Sequence, residues 1–318
     1  MKKMLAILIA ALLCLSAMAV PAMAETTSYN VGICQLVLHA ALDDATQGFI
    51  DALTELLGDS VTIDKQVASG DSATCITIVN GFIANDVDLI MANATPALQA
   101  AQAATGDIPI LGTSVTDYGS ALGITDWTGT TGYNISGTSD LAPLDGQAAL
   151  IKELFPDAKK VGLLYCTAEA NSVYQVETIE GYLTEMGYKC EFYGFTDSND
   201  VASVTQNACA NSDVLYAPTD NTVASCTEAI RNVVEIEGKA IVGGDEGICS
   251  GCGVATICIN YYDLGYATGK MAYEILVNGA DVSTMPVQFA PEYAKVYNAE
   301  LCETLGVAIP EGYTPIAQ

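Results

Sequence analysis

Polar side chains follow the predicted strands at six places, and these residues have the chemistry to hold a small ligand. The strand ends, three in each half of the chain, are residues 35–39 with Asp43, 93–96, 113–117, 169–172, 218–221 and 244–247. Ligands of open α/β sheets bind outside the carboxyl ends of strands, where helix N-termini present free N–H groups. The pattern therefore predicts one ligand cleft between two lobes.

Asp245 is the strongest single candidate for a ligand contact. It follows a predicted buried strand, lies between Gly244 and Glu246, and precedes no helix-periodic segment that it would cap. A carboxylate in this position suits a ligand ammonium group. His39 is the only histidine, and at the first strand end it can stack on a ligand or hydrogen-bond to it. A single histidine is more often structural than catalytic, so both interpretations of His39 stay open.

Three strand ends also carry helix-capping patterns, which give their residues a purely structural alternative. The patterns are Thr95 before Pro96, Ser172 three residues before Gln175, and Thr219 or Asp220 before a helix from Asn221. The same free N–H groups can hold a ligand carboxylate. Capping explains each pattern alone, but it does not explain why so many polar groups converge on one cleft.

Sequence motifs of enzymes are absent. The chain has no GxSxG elbow, Walker loop or GxGxxG, and one histidine cannot supply a two-histidine metal site. Cys249 and Cys252 form a CxxC, which can be a redox pair, a metal half-site or a loop disulfide. We place it in a glycine-rich turn before a strand and interpret it as incidental or loop-stapling. We therefore expect a non-enzymatic protein without cofactor or metal, with a secreted thiol enzyme as an alternative.

Charge and cysteine content limit the partners and the habitat. The chain has 38 acidic and 11 basic residues and a formal net charge of −27, which excludes nucleic acid as a partner and disfavours anionic membrane surfaces. Most of the cysteines lie in apolar strands or helices. Such cysteines act as small core hydrophobes, and their number in an exported protein indicates a reducing or anaerobic habitat.

The N-terminus is typical of a secretory signal peptide. Residues 1–24 have two lysines, an apolar run and the small-x-small pattern that ends at Ala24. We expect cleavage after Ala24 and an extracytoplasmic location at the cell surface or in the periplasm. Two alternatives stay open: a membrane anchor, and lipidation of Cys14, which lacks the usual small residue on its N-terminal side.

Two similar βα units, which begin at Val31 and Val161, indicate how these residues are positioned. Strand-like runs alternate with helix-period stretches along the chain. This alternation predicts an α/β fold with two doubly wound parallel-sheet lobes. We interpret residues 117–137 as an irregular approach to the second lobe, and residues 221–236 as one helix.

The chain continues beyond what a second lobe needs, so we expect it to return to the first lobe and cross back. The predicted domains are a signal peptide at 1–24, lobe 1 at 25–141 plus 260–288, and lobe 2 at 142–259 plus 289–318. Three crossovers between the lobes would then act as a hinge.

Eight motifs resemble the substrate-binding proteins of ABC transporters of the tryptophan/tyrosine type. They are QLVLHAALD, NATP, TSVTD, GTSDL, EANSVYQVE, PTDNTVAS, GDEG and INYYDLG. The resemblance implies a type I periplasmic-binding-protein fold whose lobes close on an aromatic amino acid or a similar small molecule. Its other implied partner is an ABC permease in the membrane, and we expect the protein to be monomeric.

The resemblance also implies a set of ligand contacts. They are Gln35, His39, Thr95, Asn171, Ser172, Asp220, Asn221 and Asp245. Two features depart from the family pattern: the leader has no clear lipobox, and CSGC follows GDEG where the family has an ordinary loop. A ligand-sensing module for a signalling receptor remains an alternative, because it would use the same fold.

Overall fold

The computed structural model describes residues 28–309 and 311–317. The predicted signal peptide and Cys14 lie outside the described residues. Within the described part of the chain, no helix is long and apolar enough to cross a membrane.

Strands and helices alternate through the first half of the chain. The elements are β1 (Tyr29–Gln35), α1 (Ala40–Leu57), β2 (Val61–Val67), α2 (Ser72–Ala84), β3 (Leu89–Asn93), α3 (Thr95–Ala104), β4 (Ile110–Val115), α4 (Tyr118–Leu122) and β5 (Ile135–Ser139). Every residue of β3, β4 and β5 is buried, as expected for parallel strands covered on both faces.

The same alternation continues through the second half. The elements are α5 (Leu144–Leu154), β6 (Lys160–Cys166), α6 (Ala170–Glu185), β7 (Lys189–Phe195), α7 (Val201–Asn211), β8 (Val214–Ala217), α8 (Asn221–Ser225), α9 (Thr227–Glu237), β9 (Ile241–Gly243), α10 (Glu246–Cys252) and β10 (Ala255–Cys258). The remaining elements are α11 (Tyr261–Leu276), β11 (Gln288–Phe289), β12 (Ala294–Tyr297), α12 (Ala299–Leu305) and β13 (Thr314–Pro315).

The described strands form two sheets. The first has six strands in the order β11-β5-β4-β3-β1-β2, and the second has seven in the order β13-β12-β10-β9-β8-β6-β7. All neighbours pair in parallel except β10 with β12. The predicted α/β fold with two parallel-sheet lobes is confirmed.

The chain passes between the two sheets three times. It leaves β5 for α5, whose Ala148 and Ile151 pack in the core of the second sheet. It leaves β10 for α11, whose Met271 and Ala272 pack with residues of the first sheet. It passes from β11 in the first sheet to β12 in the second.

Helix α11 is held closely against α1. The buried residues Leu42, Ala45 and Phe49 recur at helical spacing along the inner face of α1. A Cβ atom on Gly265 would collide with the backbone carbonyl of Ala45, so only glycine allows this approach of the two helices.

Several elements differ from the sequence predictions. Residues 117–137, predicted as irregular, contain α4 and the start of β5. The segment predicted as one helix over 221–236 breaks at Cys226 into α8 and α9. Cys249 and Cys252 lie in α10 rather than in a turn, and both are buried. Burial of these side chains and of Ile248 outweighs the low helix propensity of the glycines nearby.

Candidate functional site

A small cavity lies between the lobes at the carboxyl ends of the central strands. It is lined by His39, Leu42, Ser114, Asp140, Asn171, Thr219, Asp220, Asn221, Asp245 and Tyr261. Its volume is about 10 Å³, which is room for about one water molecule. An amino acid does not fit in this space with the lobes in the present arrangement.

Asp245 lines this cavity and also caps a helix, which corrects the sequence interpretation. Its Oδ1 accepts a hydrogen bond of 2.8 Å from the backbone N–H of Ile248, at the start of α10. The helix escaped prediction because it is short and rich in glycine. Burial raises the pKa of Asp245 to about 7, and the nearby carboxyl of Asp140 adds to this shift.

Asp220 is buried at the start of α8, with both carboxylate oxygens occupied. One accepts from the backbone N–H of Val223 at 2.8 Å, and the other accepts from the N–H of Cys166 at 2.6 Å. Burial and the charge of Glu169 raise the pKa of the Asp220 carboxyl well above its usual range. Asp220 therefore ties β6 to α8 while it places acidic character beside the cavity.

Glu169 was absent from the predicted contacts, and it supports the residues that line the cavity. Its two oxygens accept from the backbone N–H groups of Asn221 and Thr222, at 3.1 and 2.9 Å. They also accept from the side chains of Asn221 and Thr222, at 2.6 and 2.7 Å. Glu169 thereby fixes the start of α8 and orients the Asn221 amide.

A hydrogen bond joins the two lobes across the cleft. Nε2 of His39, from the loop after β1, lies 3.2 Å from Oδ1 of Asn221 at the start of α8. Burial lowers the pKa of His39, although the bond to Asn221 opposes this shift. His39 and Asn221 thus meet directly when the lobes are together.

Gln35 is one of three predicted contacts that do not line the cavity. It is fully buried, accepts a bond of 2.8 Å from the Thr46 hydroxyl and donates to Asp43 Oδ1 at 2.7 Å. It also donates to the Val37 carbonyl at 2.8 Å. Gln35 supports the loop that carries His39.

Thr95 and Ser172 are the other two predicted contacts that do not line the cavity. Neither residue is the N-cap that its sequence pattern predicted. Ala94 occupies the N-cap of α3 with φ of 95°, so Thr95 is already in the helix. Glu169 occupies the N-cap position of α6. Ser172 is therefore inside that helix, where its Oγ accepts a 3.3 Å bond from Asn171. Gln175 instead donates to the Thr219 carbonyl at 2.9 Å.

The predicted ligand contacts omit several lining residues, of which Asp140 and Tyr261 are the most informative. Asp140 lies in the first crossover, and its Oδ2 accepts a bond of 2.9 Å from the Tyr261 hydroxyl at the start of α11. Burial raises the pKa of Asp140. Their position in the sequence could have identified them. Asp140 directly follows the end of β5, and Tyr261 directly follows the second crossover.

Three polar atoms of the lining have no hydrogen-bond partner among the described residues. They are Ser114 Oγ, Asp140 Oδ1 and Asn171 Oδ1, all buried. Buried polar atoms nearly always have partners, so these atoms mark positions for the polar groups of a ligand. Ser114 also has φ of 54°, an uncommon backbone conformation that occurs preferentially at functional sites.

A second, outer pocket of about 220 Å³ lies beside the cavity, shares Asn221 with it and is also lined by Glu169. Its other lining residues are Leu36, Val37, Ser69, Gly70, Ser72, Pro96, Cys166, Ala168, Thr196, Asp197, Ser198, Thr222 and Ser225. Neither pocket is lined by a lysine or arginine of the described residues. The inner cavity therefore favours a cationic group of a ligand.

The family model described as ABC transporter substrate binding protein matches residues 30–317 of this chain. A curated relative, the tyrosine-binding protein of Clostridioides difficile (strain R20291), is 38% identical over 279 residues. That alignment covers 87% of this chain and 80% of the relative.

Two solved structures are also similar. The ABC domain from Streptococcus pneumoniae in complex with L-Trp is 32% identical and has a TM-score of 0.86. The match covers 91% of this chain and 100% of the pneumococcal chain. The ligand-free, open structure of a substrate-binding protein with adhesive properties from Clostridium difficile is 37% identical over the same shares, with a TM-score of 0.69. Despite its lower identity, the ligand-bound relative superimposes better, as expected if the lobes here are closed.

Proposed function

The chain belongs to the ABC transporter substrate-binding proteins, and from this premise we propose that it binds an aromatic amino acid outside the cytoplasm. It then delivers the ligand to an ABC permease. The proposal includes no catalytic step. The observation that carries it is the group of buried acidic and amide side chains around one cavity between the lobes.

The ligand class follows from the charge of this cavity. Asp140, Asp220 and Asp245 are buried around a space that no described lysine or arginine lines. Burying carboxylates without a counter-ion is costly, and a ligand ammonium group supplies that counter-ion. The tyrosine-binding relative and the relative in complex with L-Trp support an aromatic amino acid as the molecule that carries this ammonium group.

The two pockets suggest how such a ligand lies. Its ammonium group occupies the inner cavity, and its ring extends past His39 and Asn221 into the outer pocket. The inner volume of about 10 Å³ requires that the lobes adjust around the ligand. Of the predicted contacts, we keep His39, Asn171, Asn221 and Asp245 as direct ligand contacts. Gln35, Thr95, Ser172 and Asp220 instead support them.

Closure moves two bodies about the three crossovers. We propose that they are lobe 1, at 25–141 plus 260–288, and lobe 2, at 142–259 plus 289–318. The hydrogen bond between His39 and Asn221 forms on closure, because its partners come from different lobes. We further propose that the protein is monomeric and is exported by a signal peptide at residues 1–24.

A thermal-shift panel tests the ligand class. Protein freed of bound ligand by unfolding and refolding is mixed with L-tyrosine, L-tryptophan, L-phenylalanine, L-leucine, glucose and adenosine. A ligand at 100 times its Kd adds about 2.7 kcal/mol to the free energy of unfolding, which raises Tm measurably. We expect the aromatic amino acids alone to give this effect. Stabilisation by glucose or adenosine without any response to the three aromatic amino acids would contradict the proposal.

A further inference from the structure

We propose that Asp140 binds the ligand ammonium group together with Asp245, and that Tyr261 positions Asp140 for this contact. This inference rests on the proposed function and deepens it. Asp140 belongs to the first crossover and Asp245 follows β9 in the second sheet, so the ammonium group would link the hinge to the second lobe.

Hydrogen bonding identifies which acidic oxygens are free to accept from a ligand. The oxygens of Asp220 and Glu169 all accept from backbone N–H groups or side chains. Asp140 is 3% exposed, and its Oδ1 has no partner among the described residues. Asp245 uses Oδ1 as a helix cap, and no hydrogen bond of the described residues involves its Oδ2.

The unengaged atoms match the donors of an amino acid. An ammonium group has three N–H donors, and the cavity offers Asp140 Oδ1, Asp245 Oδ2 and Asn171 Oδ1 as acceptors. Ser114 Oγ is also without a partner, and its hydroxyl can donate to the ligand carboxylate. The set therefore fits a primary ammonium with a neighbouring carboxylate better than it fits a sugar.

Tyr261 is a positioning residue in this arrangement. Its hydroxyl donates to Asp140 Oδ2 at 2.9 Å, which leaves Oδ1 for the ligand. Tyr261 begins α11 directly after the second crossover. The bond therefore joins two of the three crossovers, and a ligand that contacts Asp140 acts directly on the hinge.

The test compares an amino acid with its deaminated analogue. Calorimetry measures L-tyrosine and 3-(4-hydroxyphenyl)propanoic acid on the wild type and on Asp140→Asn, Asp245→Asn and Tyr261→Phe. We expect Asp140→Asn to weaken L-tyrosine at least thirtyfold and to leave the deaminated acid within threefold. Tyr261→Phe should lower the preference for the amino acid about three- to tenfold. Asp71→Asn, at an exposed cap of α2 outside both pockets, is the control.

Each outcome decides the inference. Unchanged L-tyrosine affinity in Asp140→Asn overturns it and leaves the proposed function intact, as does an equal loss for both ligands. If Asp140→Asn does not fold, Tyr261→Phe decides, because a merely structural role would weaken both ligands alike. If the wild type binds none of L-tyrosine, L-tryptophan and L-phenylalanine, the proposed function fails and the inference falls with it.

Discussion

Hydrogen bonding divides four acidic side chains, the three that line the cavity and Glu169 beside it, into two pairs. Glu169 and Asp220 have their oxygens occupied by protein donors. Asp140 and Asp245 each keep one oxygen that no described residue engages. The first pair fixes the architecture of the site, and the second pair is available to a ligand. Substitutions in the two pairs should therefore have different effects.

Asp245 combines capping with ligand contact, and two substitutions separate these roles. Asp245→Asn keeps a good N-cap but removes the charge, so we expect affinity for L-tyrosine at pH 7.5 to fall at least thirtyfold, with little change in the stability of the unliganded protein at pH 5. Asp245→Ala also removes the cap and should lower the free energy of unfolding by about 0.5–2 kcal/mol more. Calorimetry and denaturant unfolding measure the two effects. Equal affinity of Asp245→Asn and the wild type would remove Asp245 from the site.

The raised pKa of Asp245 predicts how stability changes with pH. Its folded pKa of about 7 exceeds the unfolded value of about 3.9, so the folded state holds its proton more tightly. This group's contribution to stability is thus complete below about pH 4 and declines as pH rises to about 7. The titratable groups near it are Asp140, Tyr216, Glu246, Cys249, Cys252, Cys258 and Tyr261.

We therefore expect the unliganded wild type to lose more stability between pH 5 and pH 7.5 than Asp245→Asn does. Affinity for an amino acid should change in the opposite direction, rising over the same range, because the ammonium group requires an ionised carboxylate. Unfolding curves and calorimetry at both pH values measure these trends. Identical pH dependence of stability in wild type and variant would contradict the assignment.

For single residues, the sequence predicts which segments form the site better than it predicts how their side chains are oriented. The polar runs after the strands could be predicted because parallel strands end at one edge of a sheet. Thr95 and Ser172 show the limit, since the N-caps fall at Ala94 and Glu169 instead. A shift of one to three residues on a helix turns a side chain away from the cleft, and only tertiary packing fixes that register.

Among the elements, the closely packed pair α1 and α11 supports the lobe that carries His39. Gly265→Ala would place a Cβ against the Ala45 carbonyl, and overpacking of this kind costs about 1–3 kcal/mol. Gly181→Ala, on α6 with open space around it, is the matched control and should stabilise by roughly 0.5–1 kcal/mol. Denaturant unfolding measures both variants. Equal effects of the two substitutions would mean that the helices can move apart at little cost.

The cysteines predict the chemical behaviour of several elements. Of the ten described cysteines, eight are buried, and only Cys190 and Cys226 are partly exposed. Burial raises the pKa of Cys190 to about 11, so little thiolate is present at neutral pH. We expect a thiol reagent to modify at most two cysteines in the native protein and about ten after unfolding. Cys226→Ser is the control and should lower both the native count and the unfolded count by one. Rapid reaction of most thiols in the native state would contradict the buried assignment.

Short elements were the hardest to predict. Residues 117–137 were interpreted as irregular, yet α4 begins at Tyr118 and β5 begins within this stretch. β5 contains Gly137, whose φ of 146° suits glycine. Gly137 lies closely packed against β4 and Tyr118. Its pairing with β4 and β11, rather than its own pattern, makes it a strand. The long helices and strands did not depend on pairing with a neighbour in this way, so their own sequence patterns predicted them correctly.

For the whole molecule, we propose that the three crossovers connect ligand binding to lobe movement. Asp140 and Tyr261 place a hydrogen bond between two of them beside the cavity. His39 and Asn221 join the lobes across the cleft. A ligand that contacts both lobes should therefore stabilise the closed arrangement, which resembles the L-Trp complex of the pneumococcal relative.

Small-angle X-ray scattering of the ligand-free protein, titrated with L-tyrosine or L-tryptophan, tests the central claim most directly. We predict that at least one of these amino acids reduces the radius of gyration in a saturable way, because the lobes close around it. Glucose should have no effect, and Asp140→Asn/Asp245→Asn should not contract at the same amino acid concentrations. A radius of gyration that stays unchanged at saturating amino acid, starting from an open ligand-free form, would contradict the account.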